Sequence, residues 1–435
     1  MNNIVAIVGR PNVGKSTLFN RIIGQRQAIV DDVSGVTRDR IYGIGEWNGK
    51  TFNVVDTGGF VKNSDDVFEA EIRKQVLIAL QEASVIVFVA DVTTGITDLD
   101  YEVAEMLRRS GKNALLAVNK VDNGNRLLEA QEFWSLGFEH TFFISSINGG
   151  GTGELLDEIA VNIKDDTTTL PAGIPKFAIV GRPNVGKSSM LNVLIGEERN
   201  IVTDIPGTTR DSIHTYYNLY NKEFYLIDTA GIRKRSKVDE DIEFYSVIRA
   251  IKTIEDADVC ILMFDVVHGL ESQDLKIFSI AANRKKGVVL VANKWDLMTK
   301  ETNTLKKLED EYRKKLAPFS DVPVVFTSVT EKQRIHKVIE SALAVYERRR
   351  QQLNNEELNE FIMELTDSNP PPTHRGQFIK FYKAEQVRAQ VPTIIIYCNY
   401  PLEVAESYRR FLENKLRAKY DFTGSPLIII FRKPQ

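Results

Sequence analysis

Two kinds of hydrophobic pattern alternate along the first 350 residues: short, mostly apolar runs, and stretches in which apolar positions recur every three or four residues. In the first half the runs fall at 4–8, 51–56, 85–91, 114–119 and 142–145, and the helical pattern at 16–23, 67–82, 99–109 and 154–161. In the second half the runs return in the same order at 177–180, 223–228, 259–265, 288–293 and 324–326. Runs that are apolar throughout suit strands buried on both faces. Strands alternating with helices predict a mostly parallel sheet covered on both sides. Asn48-Gly49 is a hairpin signal and predicts one antiparallel strand at an edge. The pattern is that of a doubly wound α/β fold, present twice.

A polar stretch with two prolines, 165–175, reads as a linker between the halves. After a charged helix ending near Arg350 the alternation stops. Residues 356–365 look helical, Pro370 to Pro372 break the chain, and strands are expected at 378–382, 393–398 and 427–431. A helix over 402–420 places Val404, Tyr408, Phe411 and Leu412 on one face. The expected domains are therefore 1–164, 176–352 and a small α+β domain at 353–435.

The two halves also share words. The octapeptide GRPNVGKS at 9–16 recurs letter for letter at 181–188, an offset of 172 residues. VTRD at 36–39 returns as TTRD at 208–211, and DTGG at 56–59 as DTAG at 228–231, with the same offset; NKVD at 119–122 returns as NKWD at 293–296, offset by 174. Solenoid repeats have periods of about 20–50 residues, so this is a duplicated domain.

Each motif has a chemical reading. GxxxxGK[ST] between a strand and a helix is a phosphate loop, whose amides and helix N-terminus face phosphate oxygens. Gly9 and Gly14, with Gly181 and Gly186, allow that turn. Lys15 and Lys187 would reach the outer phosphates, Ser16 and Ser188 would hold Mg²⁺, and Thr17 and Ser189 follow at the helix start. Asp56 and Asp228 end apolar strands, where a carboxylate orients Mg²⁺ through water. Gly59 and Gly231 can offer an amide to the γ-phosphate. Thr37 and Thr209 can add a hydroxyl to the Mg²⁺ shell when that phosphate is present. In Asn-Lys-Xaa-Asp, Asp122 and Asp296 can accept from the ring N–H and amino group of guanine, a donor pair that adenine lacks. Leaving such a carboxylate unpaired costs about 1–3 kcal/mol or more. Asn119 and Asn293 would brace these loops, Lys120 and Lys294 would cover the base, and Ser145 and Ser328 would complete the pocket. The expectation is GTP binding and hydrolysis to GDP at two sites.

Composition adds little against this. The chain of 435 residues is 43% hydrophobic with a net charge of −3, so a nucleic-acid surface would have to be local. One candidate is the segment from Pro370 onward, with 11 Lys and Arg against 5 Asp and Glu, where Arg409, Arg410, Lys415, Arg417 and Lys419 cluster on or near one helix. Another is the basic run 232–237. Cys260 and Cys398 lie in apolar runs and are read as buried thiols. The five histidines show no metal-ligand spacing. Absence of a leader pattern or of a long apolar run predicts a cytoplasmic protein with no transmembrane segment, and absence of heptads makes a monomer the default.

These motifs resemble the Era-type (TrmE–Era–EngA) family of translation-factor-like GTPases, and within it the bacterial members with two G domains in one polypeptide. The resemblance covers essentially the whole chain. It implies two tandem doubly wound P-loop G domains followed by a small α+β K-homology-like domain. It also implies a role in assembling the large ribosomal subunit, with ribosomal RNA as a partner. Beyond Pro370 the Gly-Xaa-Xaa-Gly loop of ordinary K-homology domains is lacking. Where Ras-like enzymes place a water-orienting glutamine, this chain has Phe60 and Ile232. The resemblance implies instead a class in which a potassium ion supplies charge near the phosphates, with Asn12 and Asn184 matching its asparagine ligand. Slow basal hydrolysis accelerated by potassium is expected.

Overall fold

A computed structural model describes residues 3–24, 42–57, 72–73, 75–77, 79–80, 83–163, 173–196, 203–206, 213–219, 222–227, 250–251, 253–299, 303–317, 319–373 and 378–434. The chain divides into two compact units, Met1–Leu170 with Asp239–Lys252, and Pro171–Val238 with Thr253–Gln435.

The first unit is built on six strands: β1 (Ile4–Val8), β2 (Tyr42–Trp47), β3 (Lys50–Asp56), β4 (Val85–Asp91), β5 (Ala114–Asn119) and β6 (Thr141–Phe143). Their order across the sheet is β2-β3-β1-β4-β5-β6. β1 is central, parallel to β3 on one side and β4 on the other. Every residue of β1 and β4 is buried, because helices cover both faces. β2 is antiparallel to β3, and the turn between them holds Asn48 at φ 48° and Gly49 at φ 76°, the twist a two-residue hairpin requires. The run 142–145 was expected to be strand to its end. The ladder stops at Phe143 because Ser145 N–H turns to Gly150 O (2.9 Å) and Gly149 N–H to Ser145 O (2.7 Å).

The second unit repeats this sheet with β7 (Lys176–Val180), β8 (Thr203–Pro206), β9 (Ile213–Leu219), β10 (Lys222–Leu226), β11 (Val259–Asp265), β12 (Gly287–Asn293) and β13 (Val324–Phe326). The order is β13-β12-β11-β7-β10-β9-β8. β7, β10, β11, β12 and β13 are parallel, whereas β9 runs antiparallel to both β10 and β8.

The same unit carries the small C-terminal sheet of β14 (Phe381–Val387), β15 (Thr393–Cys398) and β16 (Ile428–Arg432), with β15 in the middle. The helices Asn355–Ser368 and Glu406–Lys419 bury Leu358, Ile362, Leu412 and Leu416 against Ile394 and Ile396. A strand over 378–382 was expected. It begins at Phe381, because the Asn399 side chain binds Phe378 O and Lys380 N–H, each at 2.9 Å, and holds that stretch outside the ladder. The long helix expected over 402–420 starts only at Glu406, after a single 3₁₀ turn Pro401–Glu403 and an extended Val404. Arg417 departs from the basic face read from sequence. Its guanidinium turns inward to Glu413 (2.9 Å), Phe422 O (3.2 Å) and Ser425 O (3.1 Å), so it braces a loop. Both cysteines are buried and unpaired with each other. No described helix is long and apolar enough to cross a membrane.

Candidate nucleotide sites

Each phosphate loop leaves the C-terminal end of a central strand, at the point where the strand order turns to the other side of the sheet. The glycines are required there by contact as well as by dihedral angle. A Cβ on Gly9 (φ 144°) would stand 2.3 Å from Val89 O, and one on Gly181 (φ 143°) would stand 2.1 Å from Met263 O. Gly14 and Gly186 face the base loops instead, with Asn119 Nδ2 and Asn293 Nδ2 at 2.2 and 2.3 Å from a Cβ at those positions. Asn12 (φ 63°) and Asn184 (φ 60°) both hold the left-handed conformation that turns the loop amides inward.

The lysines fold back over this turn. Lys15 Nζ donates to Gly9 O (2.8 Å) and Arg10 O (2.6 Å), and Lys187 Nζ donates to Arg182 O. Both side chains are buried. Burial pushes Lys15 down to about 8, with the Asp56 carboxylate opposing that shift and the Arg10 guanidinium adding to it. An ammonium held in this way gains most when a phosphate arrives. Ser16 Oγ donates to Asp56 Oδ2 at 2.6 Å, so a hydroxyl and a carboxylate converge at the mouth of the loop. Such a pair of hard oxygens suits Mg²⁺, which uses one or two protein ligands and takes the rest from phosphate and water. Thr17, Ser188 and Ser189 are exposed beside the loops. Thr37, Gly59, Thr209, Asp228 and Gly231 lie outside the described residues.

The base loops follow β5 and β12. Asn119 ties three segments together: Nδ2 donates to Val13 O (2.8 Å) in the phosphate loop, and Oδ1 accepts from Ser146 N (2.9 Å). Asn293 does the same with Val185 O (2.8 Å) and Val329 N (3.1 Å). Lys120 and Lys294 are left-handed (φ 67° and 63°) and pair with Asp91 and Asp265 at the ends of β4 and β11. These ion pairs hold both aspartates below the usual carboxylate range against the opposing effect of burial. Ser145 Oγ donates to Asp122 Oδ1 (2.5 Å), whereas Ser328 Oγ caps Glu331 N (3.2 Å). Asp296 Oδ1 is buried and has no hydrogen-bond partner among the described residues. A buried lone carboxylate oxygen is costly unless a donor meets it, and the paired donors on the guanine edge fit that need.

One layer was missed from sequence. Arg10, inside the first phosphate loop, is tied to Asp100 (2.9 Å) and Thr94 (3.0 Å). Arg182 repeats this with Asp274 (2.9 Å) and Glu271 (2.5 Å). Asp100 and Asp274 are fully buried at helix starts, where each also closes a capping box. Their spacing of 174 residues equals that of the base motifs, so end-to-end alignment of the two halves would have exposed them.

A phosphate loop on a central strand, with Asn-Lys-Xaa-Asp beside it and the whole arrangement duplicated, defines a P-loop GTPase with tandem G domains. A family model described as 50S ribosome-binding GTPase matches residues 4–120 and again 176–294. Another, described as the C-terminal KH-domain-like region of EngA bacterial GTPase enzymes, matches 352–432. Proteins named GTPase Der from Christiangramia forsetii and Bacteroides fragilis are 53% and 54% identical to this chain, covering 100% of it and 100% of their own lengths. The chain belongs to the GTPase Der family.

Proposed function

We propose that this GTPase is an assembly factor for the large ribosomal subunit, docking on it through ribosomal RNA in a nucleotide-dependent way. The observation that carries this reading is the match of both G domains to a family described by 50S ribosome binding, in a chain that ends in the matching KH-like domain. The basic helix face supports it: Arg409, Arg410, Lys415 and Lys419 remain on the surface side, and Lys419 lies over the Phe361 ring.

In this reading the protein works as a cytoplasmic monomer with three domains, 1–164, 176–352 and 353–435, joined by a linker at 165–175. GTP supplies the phosphate bond that is cleaved, and Mg²⁺ and potassium supply positive charge beside it. The chain's own groups do the positioning. Gly9, Gly14, Gly181 and Gly186 let the backbone approach the phosphates, and Lys15 and Lys187 exchange backbone carbonyls for phosphate oxygens. Ser16, Thr37 and Asp56 in one site, with Ser188, Thr209 and Asp228 in the other, would hold Mg²⁺. Asn12 and Asn184 would hold potassium. Gly59 and Gly231 would report the γ-phosphate to the switch loops, and Asp122 and Asp296 would select guanine. With most of the barrier lowered by fixed charges and orientation, little covalent chemistry falls to the protein.

The test is co-sedimentation with purified large subunits, in GDP and in a non-hydrolysable GTP analogue. The expected result is stronger pelleting with the analogue, weakened as salt rises because phosphate contacts release counterions. No binding in either state would leave a regulatory GTPase with protein partners.

A further inference from the structure

The two base loops share a motif but differ in what surrounds the selecting carboxylate. In the first, Asp122 is already engaged on both oxygens: Ser145 Oγ holds Oδ1 at 2.5 Å, and Arg126 Nη1 holds Oδ2 at 2.6 Å. The same Arg126 nitrogen also donates to Lys120 O at 3.0 Å, which fixes the guanidinium across the loop. Asn123 caps the short helix that carries it, accepting from Arg126 N at 3.0 Å. In the second loop, Asp296 has neither contact among the described residues, and its Oδ1 is buried.

We infer that Arg126 is a specificity-tuning residue of the first site, which weakens that site's hold on guanine. The inference rests on the reading of Asp122 and Asp296 as the guanine acceptors. Hydrogen bonds to an ionised acceptor are roughly twice as strong as neutral ones. A guanidinium on Asp122 offsets part of that charge and repels the positive edge formed by the base's two N–H groups. Among the described residues Asp296 Oδ1 is buried without a hydrogen-bond partner, and it gains one when a donor arrives. The first site therefore holds its nucleotide less tightly than the same loop would without Arg126. The Arg126 and Asp122 side chains are 35% and 31% exposed, so the offset is screened by salt.

The experiment uses the full chain and calorimetric titration with GDP, with the second site silenced by Asp296→Asn. Adding Arg126→Gln should tighten GDP at the first site by about two- to five-fold, the range an exposed pair supports. The gain should shrink as salt rises from about 0.05 to 0.5 M, a change that a purely structural role would not produce. Unchanged or weaker binding with Arg126→Gln would overturn the inference. A separate Asp122→Asn variant tests the underlying reading, because a carboxamide should exchange preference from GDP to XDP. If that exchange occurs while Arg126→Gln has no effect, the base assignment stands and the inference alone falls. If the silenced background does not fold, the two binding steps of the parent chain and of Arg126→Gln are compared directly; one step should tighten while the other stays in place.

Discussion

Gly424 and Val288 are joined through their backbones: Val288 N–H donates to Gly424 O at 2.9 Å, while Gly424 N–H donates to Asp321 O at 2.8 Å. A loop of the C-terminal domain is thus stitched beside β12, the strand whose far end carries Asn293. Arg348 with Asp421 (2.7 Å) adds an ion pair next to the same contact. The C-terminal domain and the second G domain share a seam made of main chain.

Gly424 should tolerate no side chain. Its φ of +74° is left-handed, and a Cβ would stand 2.6 Å from Val345 Cγ2 and 2.8 Å from Val288 O. Gly424→Ala should cost about 2–4 kcal/mol of the docking between these domains. Thermal unfolding should then separate the C-terminal domain from the second G domain as an earlier transition. A single unshifted transition would contradict this.

Asn119 offers a site-selective lesion. Asn119→Ala leaves Val13 O and Ser146 N without their bonds of 2.8 and 2.9 Å in a buried setting. Roughly 1–3 kcal/mol is at stake in each, and the part that falls on nucleotide binding, about 1.4–2.7 kcal/mol, should lower GDP affinity at the first site about 10- to 100-fold. The second site, braced by Asn293, should keep its affinity in the same titration.

Lys15 predicts a pH dependence. Its folded value of about 8 lies below the ordinary 10.5, so between these the unfolded chain binds more protons and stability of the nucleotide-free domain rises with pH. Nucleotide binding has the opposite sign. Phosphate favours the charged lysine, so the contribution is complete below about 8 and is lost as pH rises through it. Titrations near pH 8.5 in buffers of different ionisation heat should register proton uptake. Lys15→Ala should abolish the uptake assigned to this site.

Potassium should accelerate GTP hydrolysis about tenfold over sodium, equivalent to roughly 1.4 kcal/mol of the barrier. Rates measured at equal ionic strength test this, and equal rates would end the proposal. Asn12→Ala and Asn184→Ala, assayed singly, should each narrow the difference.

Much of this was legible in the chain. The runs at 4–8, 85–91, 114–119 and 259–265 become strands with the same bounds, since a strand buried on both faces reads as a continuous apolar stretch that stops where the chain leaves the sheet. The duplication was visible because matching turns in the two halves need positive φ at the same positions, Gly9, Asn12, Gly14 and Lys120 against Gly181, Asn184, Gly186 and Lys294, which few residue types adopt. Boundaries failed where a side chain from elsewhere intervened, as with Asn399 ahead of β14.

The sequence by itself determined the doubled α/β pattern, the positions of the phosphate loops and the chemistry available at each motif. These follow from local spacing, which a linear reading captures. Only the tertiary structure decided that Arg10 and Arg182 are tied to buried Asp100 and Asp274, that Arg417 faces inward, and that Asp122 is doubly held while Asp296 Oδ1 has no partner among the described residues. A charged residue carries the same letter whether it meets water or a partner. Which of these it meets depends on what other segments bring within about 3 Å of it.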